Sequence, residues 1–297
     1  MFDPSKTIDL NDLASPLNEI RELIINKYHG QYLADLDNLI DKVNIFKTHF
    51  ATLDIRQDHT IHIKVIEAIL IQSGLIKESI DELTRDELKS ILLNQEIDVG
   101  QMEFEEEIVQ DTIKNIIQLK LIQQKNGEEG CNRYAISNSE DIFSVLIVHA
   151  LFRWCWKSNR FPFDIVPLFE TMDGMNNSKQ VMQELFDTTE YREHVKERQD
   201  KQTIMLGFSD GTKDGGYLKA NWEIFKTKEN LSAVCDQNEI KAIFFDGRGG
   251  PPARGGGKTH RFYASQSQKI ANNEIQLTIQ GQTITSTYGT KEQFTHN

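Results

Sequence analysis

The chain has 297 residues, 38% hydrophobic and 26% charged, with a formal net charge of −12. This is ordinary globular material, enough for one large domain or two small ones with a real core, and its acidic balance argues against a general nucleic-acid or anionic-membrane surface. Three cysteines, Cys131, Cys155 and Cys235, lie far apart outside any CxxC pattern, so neither a disulfide framework nor a zinc site is expected. The start, MFDPSKTIDLNDL, has no basic stretch leading into an apolar one, and no segment reaches membrane-spanning length, so a soluble cytoplasmic protein without membrane or nucleic-acid partners is expected.

In chain order, Leu17, Ile20, Leu23 and Ile24 fall on one helical face, and Leu33, Leu36, Leu39, Ile40 and Val43 on another. They predict two packing helices over residues 16–45, with Gly30 as the stop between them. A short strand then ends near Arg56, and a helix runs over about 62–73. His59 and His62 lack a third ligand and read as packing or surface histidines. Residues 79–125 read as helical and strongly charged. Thr84 to Glu87 has capping-box spacing, Phe104, Ile108, Thr112, Ile113, Ile116 and Ile117 form an apolar stripe, and the acidic run 103–107 reads as its solvated side. A glycine turn at 126–132 precedes a strand at 133–137. Ser137 to Glu140 reads as a second capping box before a helix over 141–156.

From there strands and helices alternate. A strand at 165–169 ends at Glu170 and precedes a helix over 178–186. Another at 203–208 ends at Asp210 and leads through a glycine turn to a helix over 216–225. Residues 242–245 form a buried strand and 274–279 one more. The repeated order predicts a parallel, helix-rich α/β fold.

The strand at 242–245 opens into DGRGGPPARGGGKTH, a glycine-rich loop with Arg248, Arg254 and Lys258. Glycine lets backbone N–H groups approach an anion closely, and arginine forks onto phosphate or carboxylate oxygens. A nucleotide P-loop would need glycine where Pro252 stands, and a disordered RNA-binding segment does not fit between apolar flanks in an acidic chain. In a parallel α/β fold ligands bind beyond the carboxyl ends of the strands. Arg56, Glu170, Asp210, Lys213, Arg248 and Arg254 all fall at such ends in this reading. Two carboxylates among four cations would seat Mg2+ or Mn2+ beside a phosphorylated or carboxylated substrate.

FDGRGGPPARGGGKTH resembles the glycine-arginine signature loop of phosphoenolpyruvate carboxylases. LDIRQDHTIH, VPLFETMDGM and MLGFSDGTKDGGYLKANW are similar to three further segments of that family, in the same order. The resemblance covers about residue 50 to the end and implies an incomplete phosphoenolpyruvate carboxylase-type (β/α) barrel with long helical insertions. Residues 1–49 would be a helical lead-in, 50–289 the barrel strands and helices with the signature loops, and 290–297 a truncated end of the same domain. It also implies carboxylation of phosphoenolpyruvate with bicarbonate to oxaloacetate and phosphate, a reaction that replenishes the tricarboxylic acid cycle. Glu170 and Asp210 would ligate Mg2+ or Mn2+. Arg56, Arg248, Gly249 and Gly250 would hold substrate, with Lys213 nearby and Arg254 steering bicarbonate or carbon dioxide. The same arginine would meet an aspartate-type inhibitor, and the assembly would be a homotetramer.

Three departures stand out. Asp246 occupies the place of the histidine that usually precedes the first glycine of the loop, so the electrostatics there must differ. The early HPTE-type segment, with the family's proton-accepting histidine, is absent. Six strands are expected where the family's barrel has eight. The resemblance therefore implies a fragment without carboxylase turnover that keeps an anion or metal site. The alternatives are a non-catalytic binding or regulatory remnant of the same fold, and another metal-dependent enzyme acting on a different phosphorylated acid.

Overall fold

Six short segments each become a strand, most of them apolar runs and the first, DIRQD, a charged one. They are β1 (Asp54–Asp58), β2 (Arg133–Ser137), β3 (Asp164–Phe169), β4 (Lys201–Leu206), β5 (Lys241–Asp246) and β6 (Ile275–Leu277). This computed structural model describes residues 8–247, 258–271, 273–278, 285 and 289–292, without the side chains at 209–211, 214 and 259. The strands lie side by side in chain order, each neighbouring pair parallel. The helices are α1 (Leu10–Lys27), α2 (Leu33–Phe46), α3 (His59–Gln72), α4 (Arg85–Asn94), α5 (Glu107–Asn126), α6 (Ile142–Trp156), α7 (Met172–Phe186), α8 (Thr189–Glu197), α9 (Phe208–Gly215), α10 (Tyr217–Gln237) and α11 (Thr259–Ala264).

Parallel neighbours need a crossover, and crossovers are right-handed, so a strand order that never reverses places the connecting helices on one face of the sheet. Side-chain alternation then builds two cores. Tyr134, Ile136, Ile165, Phe169, Ile204, Leu206 and Phe244 face the helices and join the main core. Ala135, Val166, Met205 and Phe245, with Leu168 packed on them, form a second cluster on the opposite face. The guanidinium of Arg56 on β1 lies 5.7 Å from the ring centroid of Phe245 on β5. In a flat sheet those strands would stand about 19 Å apart, beyond an arginine's reach. The sheet is therefore curled into a half-barrel around this second face.

Helix α6 is buried nearly all round, with only Cys155 of its fifteen residues outside the buried set. Its two indoles and its guanidinium find partners inside. Trp154 Nε1 donates to Gln95 O at 2.8 Å, Trp156 Nε1 to Ile116 O at 2.8 Å, and Arg153 Nη1 to Leu92 O at 2.8 Å. Burial of an indole N–H or guanidinium is tolerated on those terms.

Several local expectations need correction. β1 runs on to Asp58, and α3 starts at His59 because the Asp58 side chain caps Thr60 N. The 79–125 stretch is interrupted: α4 and α5 are separate helices with short 3-10 turns at Ile80–Glu82 and Val99–Gln101. The Thr84 to Glu87 capping box forms, and Glu103, Glu105, Glu106 and Glu107 are exposed. No Ser137 to Glu140 box forms at α6; Asp141 caps it instead, accepting from Phe143 N and Ser144 N. β4 stops at Leu206, and Phe208 begins α9 where a glycine turn was expected. α7 starts at Met172, α8 was unforeseen, and α10 extends to Gln237. In the last strand only Ile275–Leu277 pairs, and Ile279 lies outside the described residues. Gly30 does close α1: with φ +76 it donates its N–H back to Ile24 O at 3.0 Å.

α1 and α2 pair as a hairpin held by Arg21 Nε to Asp37 Oδ1 at 2.7 Å. Neither contains a fully buried residue, and Ile20, Leu23 and Leu39 remain 45%, 46% and 47% exposed, so the apolar faces read from the sequence are only half covered. Among the described residues no helix is long and apolar enough to cross a membrane.

His62, His149 and His194 are fully buried. His62 Nε2 lies 2.9 Å from the Tyr134 hydroxyl, and His149 and His194 pack ring against ring with centroids 5.5 Å apart. Desolvation lowers all three, His62 and His194 to about 3 and His149 well below 6.5. Their neutral forms fit the fold, while the unfolded chain takes up protons near pH 6.5, so stability is complete above that pH and is lost as pH falls from about 6.5 toward 3. Thermal melts between pH 7.5 and 4.5 should show a steady fall in Tm, shallower in a His194→Leu variant. Equal slopes for the two proteins would contradict this account.

Candidate functional site

The carboxyl ends of β1, β2 and β3 are tied by side chains that share the inner face. Asp58 and Arg56, two apart on β1, both point that way. Asp58 accepts from the Thr60 hydroxyl and N–H, the Ser137 hydroxyl at 3.1 Å and Asn138 Nδ2 at 3.0 Å. Burial works against its ionisation, but these donors outweigh it and hold the carboxyl below its usual range. Asn138, in the left-handed region at φ 56, also donates its backbone N–H to Glu170 Oε1 at 3.0 Å. One residue thus bridges two rim carboxylates. Sequence reading passed over Asp58 and Asn138 because it ended the strand at Arg56; carrying the alternation two residues further would have found Asp58.

Glu170 is half-buried just past β3, and the end of β4 comes close against it. A Cβ on Gly207 would lie 2.5 Å from Glu170 Cβ and 3.0 Å from its Cα, and Gly207 N donates to Phe169 O at 3.0 Å. Only a residue without a side chain allows this approach. It brings α9, which carries Asp210 and an exposed Lys213, alongside Glu170. The Asp210 side chain itself is outside the described set. Gly247 continues the rim: a Cβ there would sit 3.3 Å from Met205 Cε and 3.4 Å from Leu206 O. Arg248, Gly249, Gly250 and Arg254 lie outside the described residues.

Arg56 is 48% exposed, 3.7 Å from Asp54, and turned over Phe245 on the inner face. It sits within β1 rather than at its end. Arg56 thus faces the inner side from within β1, and Glu170 meets the residue that precedes the segment bearing Asp210 and Lys213. Asp246 is different. It faces the helices, with its carboxylate 2.8 Å from Lys228 Nζ, so the anticipated carboxylate beside the substrate is turned away from the inner face.

The oxygen donors at this rim suit a hard divalent cation such as Mg2+ or Mn2+. Among the described residues no three His, Cys, Asp or Glu side chains cluster as a metal cage.

The opposite rim is charged but internally matched. Arg133 pairs with Asp54 at 2.7 Å, Arg198 with Asp164 at 2.6 Å and Glu128 at 2.7 Å, and Lys241 with Glu274 at 2.6 Å. A cavity of about 970 Å3 opens there among them. Its size does not make it the candidate site, because it lies at the amino ends of the strands and most of its arginines and carboxylates are engaged with one another.

The architecture is a helix-rich α/β fold whose parallel six-strand sheet curls as an incomplete barrel would. The sequence model described as phosphoenolpyruvate carboxylase matches residues 3–297. Phosphoenolpyruvate carboxylase of Nitrosomonas eutropha is 30% identical over 288 residues, covering 94% of this chain and 30% of that protein. The phosphoenolpyruvate carboxylase of a Synechococcus strain is 30% identical over 282 residues, covering 91% of this chain and 27% of its own length. The chain belongs to the phosphoenolpyruvate carboxylase family, and it spans less than a third of the length of these curated relatives.

Gly207→Ala should cost about 1–3 kcal/mol, because β3 and β4 must part at the rim to admit the methyl group. Gly100→Ala, whose new Cβ would meet only Asp98 Oδ1 at 3.7 Å, should change little. Urea midpoints of the two variants check this, and equal midpoints would contradict the close-contact reading.

Proposed function

We propose that this chain forms part of the active site of a cytoplasmic phosphoenolpyruvate carboxylase. In that reaction a bicarbonate oxygen attacks phosphorus, the enolate of pyruvate leaves, and carbon dioxide released from carboxyphosphate joins the enolate carbon to give oxaloacetate and phosphate. The observation that carries the reading is the Gly207 contact with Glu170, which sets the α9 segment beside a rim carboxylate on the face where Arg56 points.

Glu170 and Asp210 would hold Mg2+ or Mn2+. When bound, the ion supplies Lewis-acid stabilisation of the developing enolate oxygen. Arg56 and Arg248 would fork onto the phosphate, with Gly249 and Gly250 offering backbone N–H groups and Lys213 adding positive charge nearby. Arg254 would orient bicarbonate, and an aspartate-type inhibitor would compete there through its carboxylates. Asn138, by holding Glu170 and Asp58 together, orients the rim rather than touching substrate. A complete (β/α) barrel and a homotetrameric assembly belong to the same proposal. With six strands among the described residues, this chain alone would bind but not turn over, and the reaction of the whole enzyme would help supply oxaloacetate to the tricarboxylic acid cycle.

Mn2+ with phosphoenolpyruvate should raise the Tm of the 297-residue protein, and Glu170→Gln should remove the Mn2+ part of the shift. Arg56→Ala should reduce the phosphoenolpyruvate part. Malate-dehydrogenase-coupled assays should detect no oxaloacetate. Unshifted melting in the unmodified protein would remove the site, and measurable turnover would overturn the partial-site reading.

A further inference from the structure

Lys228 of α10 and Asp246 of β5 form an ion pair inside the protein, with side chains 2% and 0% exposed and the nitrogen 2.8 Å from the carboxylate. Asp246 Oδ2 also accepts from the Tyr263 hydroxyl at 2.5 Å. The ammonium lies 5.5 Å from the ring centroid of Phe244 and 5.7 Å from that of Tyr263. Taking two charges out of water is costly, and an apolar pair of similar volume would fill a core as well or better. What a charge-assisted network adds is direction.

Its place in the chain says what is directed. Asp246 is the last residue of β5, and Tyr263 belongs to α11, which follows the glycine-arginine segment. Their hydrogen bond joins two points seventeen residues apart along the chain. Lys228 ties both to α10, whose amino end follows directly from α9. Three elements are thus fixed to one another on the helix side of the sheet, directly behind the rim.

We propose that Lys228, Asp246 and Tyr263 are positioning residues that clamp the two ends of the arginine-bearing segment to each other and to the helix following Asp210 and Lys213. The inference rests on reading that segment as the anion-holding one. It assigns to Asp246 a role behind the site rather than within it.

The test uses Tyr263→Phe, Lys228→Met, Asp246→Asn and the Lys228→Met/Asp246→Asn double variant of the whole chain. Tryptic cleavage after Arg248, Arg254 and Lys258, measured relative to other sites by mass spectrometry, should rise roughly tenfold in Tyr263→Phe. The double variant should recover much of the urea midpoint lost by either single charge change. An unchanged cleavage ratio in Tyr263→Phe, or an equal rise at every site, overturns the clamp. Additive midpoint losses overturn the pairing of Lys228 with Asp246. If the single charge variants do not fold, the Tyr263→Phe ratio decides alone. The ligand-induced Tm shift of the unmodified protein is read separately: its absence defeats the functional reading, while the cleavage ratio, measured without ligand, still decides the clamp.

Discussion

The constraint on which the structure depends is the handedness of its crossovers. Because each strand is followed in space by the next in sequence, right-handed connections carry the helices to one side, and the other side has only itself to close upon. Arg56 reaching Phe245 across the lumen is the direct sign of that closure. The inner face is then a narrow concave surface, filled midway by Ala135, Val166, Leu168, Met205 and Phe245 and left polar at both rims. The rims are not equivalent. The amino rim is laced by arginine and lysine pairs with carboxylates, whereas the carboxyl rim gathers two carboxylates around an asparagine and sets one of them against Gly207.

Much of the fold was legible because strand signals are short and local. Each of the six expected strands exists, since apolar runs such as 165–169 and 242–245 are continuous where both faces are covered. The errors have physical causes. Asp58 lies in β1 despite its low strand propensity because it receives hydrogen bonds there, a tertiary effect that no local rule reports. α9 forms through two glycines and a run of small polar residues, where propensity argues for a turn; its position between β4 and α10 outweighs that preference. Asp141 won the cap of α6 over Ser137 because Ser137 is committed to the β2 ladder and to Asp58.

The site was legible in its residue types more than in its connections. Glu170 does lie just past β3, and Gly207 brings the start of α9 against it, whereas Arg56 is the middle residue of β1 rather than its last. What the sequence could not reveal was Gly207 as the point of contact, because a glycine just before FSDG reads equally as a turn residue. The direction of Asp246 was also hidden. Its face depends on whether β5 ends at 245 or 246, and its partner Lys228 sits eighteen positions away on a helix that was expected to stop at Phe225.

β1 carries one last implication. Among the described residues its backbone is paired only to β2, so it is an edge of the sheet, and edges invite pairing with foreign strands. Asp54, Arg56 and Asp58 place three inward-pointing charges on that edge strand, next to which the side chains of an added strand would have to align. The groups that make the rim chemically useful also keep the half-barrel from sticking to its own copies, so replacing Arg56 with an apolar residue would threaten solubility and ligand binding together.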